Sequence, residues 1–258
     1  MTKFSANLGF LWTELELPEA IMAAHKAGFE AVECHFPYEV PEKDVVQALE
    51  ATGLPMVGLN TVRGDVEAGE FGLAAVPGAE DRARAAIDQA VAYAAATGTQ
   101  NVHVMAGRSA PQAGAHEVFV ENLRYGADLA ASHGIGLLIE PINQRDAPEY
   151  FLSNVEQAAH IIEEVGKPNL KMMFDCYHVQ IMQGDLAKRL EAHLPLIGHV
   201  QIAGAPGRNE PDTGEIAYPW LLARLDELGY CGFVGAEYVP LATTDAGLSW
   251  MGAYQVTP

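Results

Sequence analysis

The chain has 258 residues, and its 34 acidic side chains against 15 basic ones give a formal net charge of −19 at pH 7. This charge argues against a nucleic-acid partner, because neutralising a phosphate backbone requires clustered Lys and Arg side chains. No stretch reaches the roughly 18 apolar residues that span a bilayer, and the three scattered cysteines provide no disulfide framework. We therefore expect a cytoplasmic protein with no membrane partner.

Short β-rich runs alternate with longer helical segments eight times along the chain. This alternation is typical of an α/β fold in which helices cover a parallel sheet, and a length near 250 residues suits one barrel. The predicted strands are Phe4–Leu8, Ala31–His35, Met56–Asn60, Asn101–Met105, Gly136–Glu140, Lys171–Asp175, Ile197–Ile202 and Phe233–Glu237. The pattern predicts a single (β/α)8 TIM barrel domain over residues 1–258.

The segments between the predicted strands support this architecture. Glu80–Thr97 and Ala115–His133 are amphipathic and long enough for covering helices. Glycines stand where predicted helices end, a position that often requires a left-handed backbone; they are Gly28, Gly53, Gly98, Gly134, Gly166 and Gly229. Thr61–Gly78, rich in Gly and acidic residues, is predicted to be a long loop, and such loops often serve as lids.

Oxygen-bearing side chains lie at the carboxyl ends of four consecutive predicted strands, the face on which TIM-barrel active sites form. They are Glu140, Asp175, Gln201 and Glu237, from strands five to eight in order. Three carboxylates that converge would repel one another, and a divalent cation would neutralise them. Because all the ligands are oxygen atoms, the set favours Mg²⁺ or Mn²⁺ over Zn²⁺.

Longer motifs surround these residues, at positions 4–8, 36–38, 121–125, 139–143, 198–203 and 237–238. They resemble those of the hydroxypyruvate isomerase family of xylose-isomerase-like barrels, and the likeness covers nearly the whole chain. The resemblance implies that Glu140, Asp175, Gln201 and Glu237 hold the metal, and that Glu140 and Glu237 are also the catalytic acid/base pair. Related ketose 3-epimerases usually have His where this chain has Gln201, which favours the isomerase branch.

The resemblance implies a small anionic sugar-acid substrate, and conversion of hydroxypyruvate to tartronate semialdehyde by proton transfer through an enediolate. A 2-oxotetronate isomerase stays open as an alternative, because residues 60–61, 102–107 and 218–221 are similar to that enzyme. A ketose 3-epimerase and a non-catalytic sugar-acid-binding barrel are further alternatives. A homo-oligomer is plausible by resemblance.

Four further residues are candidates for substrate binding. His178, three residues after Asp175, is expected to bind a substrate oxygen, as the matching His does in related epimerases. Arg208 is expected to bind the substrate carboxylate, because a guanidinium can do so bidentately. Glu33 and His103 occupy inward positions near strand ends, where they either contact substrate or act as buried hydrogen-bonding partners. Other strand-to-helix loops on this face carry arginines that could offset the acidic field: Arg63, Arg108 and Arg145.

Overall fold

A computed structural model describes residues 2–109 and 112–253 of the chain. Eight parallel strands form a closed barrel in chain order, with the last strand hydrogen bonded to the first. This arrangement confirms the predicted (β/α)8 fold. The predicted domain range also includes residues 1, 110–111 and 254–258, which lie outside the described residues.

The strands begin and end within two residues of the predicted positions. They are β1 (Lys3–Asn7), β2 (Ala31–Glu33), β3 (Met56–Asn60), β4 (Asn101–His103), β5 (Gly136–Ile139), β6 (Leu170–Asp175), β7 (Ile197–Ile202) and β8 (Phe233–Ala236). Because both faces of a parallel barrel strand are covered, most of the strand residues are buried. In β5, for example, Leu137, Leu138 and Ile139 are at most 1% exposed. Glu140 and Glu237 each directly follow a strand, at the carboxyl end of the barrel.

Helices cover the outside of the barrel. They are α1 (Leu17–Ala27), α2 (Glu42–Thr52), α3 (Glu80–Thr97), α4 (Ala115–Ala131), α5 (Val155–Val165), α6 (Cys176–Met182), α7 (Leu186–His193), α8 (Tyr218–Glu227) and α9 (Thr244–Gly247). The six glycines predicted at helix ends all have left-handed backbone, with φ between 67° and 90°, so that prediction is confirmed. Within the described part of the chain, none of the helices combines the length and apolar character needed to cross a lipid bilayer.

The segment between β3 and α3 contains no regular helix and is fixed against the loop that follows β4. The amide of Gly72 donates a hydrogen bond of 2.8 Å to the carbonyl of Arg63, and Gly72 forms an antiparallel bridge with Ala106. A side chain at Gly72 would lie 2.8 Å from the backbone nitrogen of Gly107, so only glycine permits this approach. The contact holds the backbone of Arg63 beside the barrel mouth.

Candidate active site

A cavity of about 590 Å³ lies at the carboxyl ends of the strands. Its walls include five of the residues predicted for the site: His103, Glu140, His178, Arg208 and Glu237. Three other predicted residues, Glu33, Asp175 and Gln201, are at most 3% exposed and do not line the cavity. Five of the predicted site residues therefore line the cavity, and the other three are buried inside the barrel.

Two predicted metal ligands, Glu140 and Asp175, lie together with His178. One ligand atom from each of the three residues falls within 4.8 Å of the others. Glu140 Oε1, Asp175 Oδ2 and Gln201 Oε1 are buried and have no hydrogen-bond partner among the described residues. Such oxygens cost about 1–3 kcal/mol each if nothing satisfies them. Three of the four predicted ligands thus present an unsatisfied oxygen, and these donors fit a hard cation.

Glu33 holds the amide of Gln201 in one orientation. Gln201 Nε2 donates a hydrogen bond of 2.9 Å to Glu33 Oε1, which leaves the amide oxygen of Gln201 unbonded. Glu33 also accepts from Asn7 Nδ2 at 3.0 Å, and its Oε2 lies 2.5 Å from His199 Nε2. Burial by itself would raise the pKa of Glu33, but the nearby His199 and the bond from Gln201 outweigh it, and the pKa is lowered. Glu33 is therefore an ionised hydrogen-bonding centre inside the barrel.

The fourth predicted ligand, Glu237, is paired with a cationic side chain. Arg208 Nη2 donates to Glu237 Oε2 at 2.8 Å and lies 3.6 Å from Asp175 Oδ2. The other oxygen of Glu237 accepts from Asn7 Nδ2 at 3.1 Å and lies 3.0 Å from His35 Nε2. Both carboxylate oxygens of Glu237 thus have hydrogen-bond partners. Arg208 offsets negative charge on both Glu237 and Asp175.

These contacts drive the pKa values of neighbouring carboxyl groups in opposite directions. Burial raises the pKa of Glu140 well above its usual value, and the charges of Glu237 and Asp175 raise it further. Burial and the charge of Glu237 raise the pKa of Asp175 to about 8. Burial opposes ionisation of Glu237 too, but the charge of Arg208 and the bond from His35 outweigh it, so the pKa of Glu237 lies below its usual range. Without a cation, Glu237 is therefore ionised, whereas Glu140 and Asp175 bind protons more readily than ordinary carboxyl groups do.

The hydrogen bonds of Asn143 fix the tautomer of His178. Asn143 Oδ1 accepts from the backbone amides of Arg145 and Asp146, at 3.0 and 2.8 Å. The amide nitrogen of Asn143 therefore faces His178, 2.7 Å from its Nδ1. Burial and the charge of Arg208 lower the pKa of His178 well below its usual value, so the ring is neutral. Because Nδ1 accepts a hydrogen bond, the ring proton lies on Nε2.

This tautomer determines what His178 can do in the site. Its Nε2 lies 3.6 Å from Glu140 Oε1 and 3.5 Å from Asp175 Oδ2. A protonated ring nitrogen donates a hydrogen bond and has no lone pair for a metal. His178 is therefore poised as a donor towards an oxygen, although its position beside the two carboxylates would also suit a ligand.

Two further side chains of the wall are uncommitted. His103 is 2% exposed, neither of its ring nitrogens has a hydrogen-bond partner among the described residues, and burial lowers its pKa to about 4. The guanidinium of Arg63 lies over the rings of Phe36 and Phe71, at 4.8 and 5.9 Å from their centres. In the described residues, the Arg63 side chain has no ion pair or hydrogen bond. A neutral imidazole and an unpaired cation are thus available to a ligand.

Sequence reasoning missed His35, Asn7 and Asn143 as site residues. The signal for His35 was present, because Glu33 points into the barrel and side chains alternate along a strand. A side chain at Gly9 would lie 2.1 Å from His35 Nδ1, so glycine leaves the room that this ring occupies. For Asn143 no local pattern was available, because its role depends on a turn whose amides hold its oxygen.

Comparison with known proteins identifies the family of this chain. The sequence matches the family described as xylose isomerase-like TIM barrel over residues 21–254. It is 46% identical to the 2-oxo-tetronate isomerase of Cupriavidus necator, with 98% of this chain and 99% of the relative aligned. It is 45% identical to the putative hydroxypyruvate isomerase of Homo sapiens, covering 98% of this chain and 95% of the relative. The crystal structure of an AP endonuclease, family 2, from Brucella melitensis superposes with a TM-score of 0.95 at 40% identity, covering 99% of this chain and 100% of that one.

Proposed function

The chain belongs to the xylose isomerase-like TIM barrel family, and from this premise we propose that it is a metal-dependent isomerase of a small sugar acid. The observation that carries the proposal is the set of buried oxygens without hydrogen-bond partners in the described residues, contributed by Glu140, Asp175 and Gln201. They lie beside a cavity with cationic side chains in its wall. A hard cation would bind the buried oxygens, and an anionic substrate would pair with the cationic side chains.

The proposed metal is Mg²⁺ or Mn²⁺, because the donors are oxygen atoms. Glu140, Asp175 and Gln201 would hold it, with Glu237 as the fourth ligand in place of its present contact with Arg208. When bound, the ion would polarise the carbonyl and hydroxyl oxygens of the substrate and stabilise the negative charge that develops there. Because Nε2 of His178 carries the proton, His178 is better suited to donate a hydrogen bond to a substrate oxygen than to act as a further metal ligand.

We assign proton transfer to Glu140 and Glu237. Isomerisation of an α-hydroxyketone removes a proton from one carbon and returns a proton to its neighbour, which requires one base and one acid. Glu140 and Glu237 are the carboxyl groups proposed for these two roles, and general acid or base catalysis by each is worth about 10²–10⁴-fold in rate. The bond from Arg208 keeps Glu237 ionised but also weakens it as a base. We therefore propose that this bond lengthens in the complex with substrate.

The proposed reaction is hydroxypyruvate to tartronate semialdehyde. The likeness to the Cupriavidus necator enzyme favours 2-oxotetronate as a second candidate. Both substrates carry a carboxylate, and two arginines of the cavity wall, Arg63 and Arg208, provide the cationic partners. We propose that both contact it, and that the unpaired Arg63 draws the anion in against the net charge of −19.

Other activities of the superfamily are less well supported. Gln201 stands where related ketose 3-epimerases usually have His. DNA cleavage, which the name of the Brucella melitensis protein implies for that protein, is poorly supported here, because a chain with 34 acidic and 15 basic residues repels DNA. The single domain, the homo-oligomer and the cytoplasmic location stay predictions.

The test is an assay of the metal-loaded protein in D₂O with hydroxypyruvate, 2-oxotetronate and the neutral ketose dihydroxyacetone. We expect turnover of one of the two acids, with solvent deuterium in the product. The surface variant Glu227→Gln serves as the matched control for carboxyl substitutions in the site. Absence of turnover with both acids under Mg²⁺ and Mn²⁺ would refute the proposal.

A further inference from the structure

A second group of ligand-type side chains lies on the outside of the barrel. His116 belongs to the first turn of α4, and His160 and Glu164 lie on α5. One ligand atom from each of these residues falls within 4.8 Å of the other two. Among residues 2–109 and 112–253, the only other such group of His, Cys, Asp or Glu is the one in the cavity. The outer group is therefore a second candidate site for a metal ion.

The geometry of this group needs little change to surround an ion. His160 and Glu164 are four residues apart, which places their side chains on the same face of α5. Glu164 Oε2 lies 2.7 Å from His116 Nε2 and 3.8 Å from His160 Nε2. The two imidazole rings stack at 6.1 Å with 23° between their planes. Their side chains are 37% and 72% exposed, so an ion can reach them and the rings have room to adjust.

Two nitrogen donors and one carboxylate oxygen differ chemically from the all-oxygen set in the cavity. Imidazole nitrogen suits Zn²⁺, Ni²⁺ and Cu²⁺, whereas Mg²⁺ and Mn²⁺ prefer oxygen. The hydrogen bond from His116 lowers the pKa of Glu164, and the charges of His116 and His160 act in the same direction, so this carboxylate is ionised. Metal binding would release the proton that forms the present bond between His116 and Glu164.

A neighbouring cation, Arg124, does not block this position. Arg124 donates to the backbone carbonyl of Glu164 at 3.0 Å, and its other terminal nitrogen donates to Glu121 Oε1 at 2.6 Å. Its charge is therefore paired with a carboxylate other than that of Glu164. The net charge of −19 adds a general attraction for cations at the surface.

We propose that His116, His160 and Glu164 form a Zn²⁺-type transition-metal site that links α4 to α5. Three protein ligands leave one tetrahedral position to water. Because the ligands converge only in the folded chain, an ion bound here stabilises the protein by mass action. The proposal does not depend on the isomerase activity.

The experiment is a calorimetric titration of the chelator-stripped full-length protein with Zn²⁺ in excess Mg²⁺, which competes with Zn²⁺ for the oxygen donors at the cavity. The variants are His116→Ala and His160→Ala, with His133→Ala, an exposed histidine beyond the end of α4, as the matched control. Circular dichroism establishes that each variant is folded. We expect His116→Ala and His160→Ala each to weaken Zn²⁺ binding at least about tenfold, as loss of even a supporting residue does. Zn²⁺ should raise Tm more in the wild type and in His133→Ala than in the other two variants.

Two outcomes would overturn the proposal. One is unchanged Zn²⁺ affinity in His116→Ala and His160→Ala. The other is an equal loss in His133→Ala, which would indicate diffuse binding by surface imidazoles. Turnover with sugar acids bears on neither outcome, so the proposed activity and the proposed outer site can fail independently.

Discussion

The carboxylate of Glu237 lies 2.8 Å from the guanidinium of Arg208, and this ion pair gives Glu237 a lower pKa than its neighbours Glu140 and Asp175. Arg208 and the nearby His35 keep Glu237 ionised, whereas burial beside its charge raises the pKa of Glu140 well above its usual value and that of Asp175 to about 8. In the metal-free protein the carboxyl groups therefore differ in proton affinity, and metal binding to Glu140 and Asp175 would displace their protons.

Glu237→Gln should retain the fold and lose turnover by about 10²–10⁴-fold, because the amide cannot accept the proton. The measurement is kcat under saturating metal, with Tm as the check on folding. Glu227→Gln, on an exposed helix end, should behave like the wild type. Near-normal turnover of Glu237→Gln would remove Glu237 from the acid/base pair.

Affinity for Mn²⁺ should rise as pH rises from 6 to 8. In the metal-free protein the pKa of Asp175 is raised to about 8 and that of Glu140 well above its usual value, so protons occupy these groups at lower pH. Metal binding requires the ionised forms, and the bound protons therefore compete with the ion. Calorimetry in buffers of different ionisation enthalpy should show proton release on binding. An affinity independent of pH, without proton release, would contradict the assignment of these ligands.

The neutral ring of His178 should carry its proton on Nε2. Long-range ¹H–¹⁵N correlation spectra of the metal-free protein identify the tautomer directly. Asn143→Asp should shift the proton to Nδ1, because a carboxylate accepts where the amide of Asn143 donates. Loss of the Nε2 donor should then lower kcat by at least about tenfold. A wild-type spectrum with the proton on Nδ1 would instead make His178 a candidate metal ligand.

Arg63→Met should raise KM for the acid substrate by about 10–100-fold, the range expected for losing a hydrogen bond to a charged group. The variant should leave turnover of a neutral ketose, if any is detected, unchanged. Arg208→Met should lower kcat as well, because Glu237 then loses its counter-ion. Arg145→Met is the control from the same face of the barrel. An unchanged KM in Arg63→Met would show that Arg63 does not bind the substrate carboxylate. Arg208 would then be its only proposed partner.

The fold could be predicted from the sequence because its signals are local and repeated. Eight β-rich runs, six of them followed by a helical segment that ends at a glycine, predict the strands to within two residues. The meeting of Glu140, Asp175 and Glu237 at one end of the barrel was also predictable, since parallel strands deliver their carboxyl ends to one face. The Arg208–Glu237 ion pair was not, because it depends on a loop in which Arg208 has φ of 57°, in the left-handed region. The tautomer of His178 likewise depends on a turn distant in sequence.

The central claim is that Glu140, Asp175 and Gln201 meet around one divalent cation. Anomalous diffraction from crystals soaked in Mn²⁺ tests it most directly. We predict one strong peak within coordination distance of Glu140 Oε1, Asp175 Oδ2 and Gln201 Oε1. A fully loaded crystal with no peak among these three atoms, or with Mn²⁺ bound by other side chains, would contradict the account.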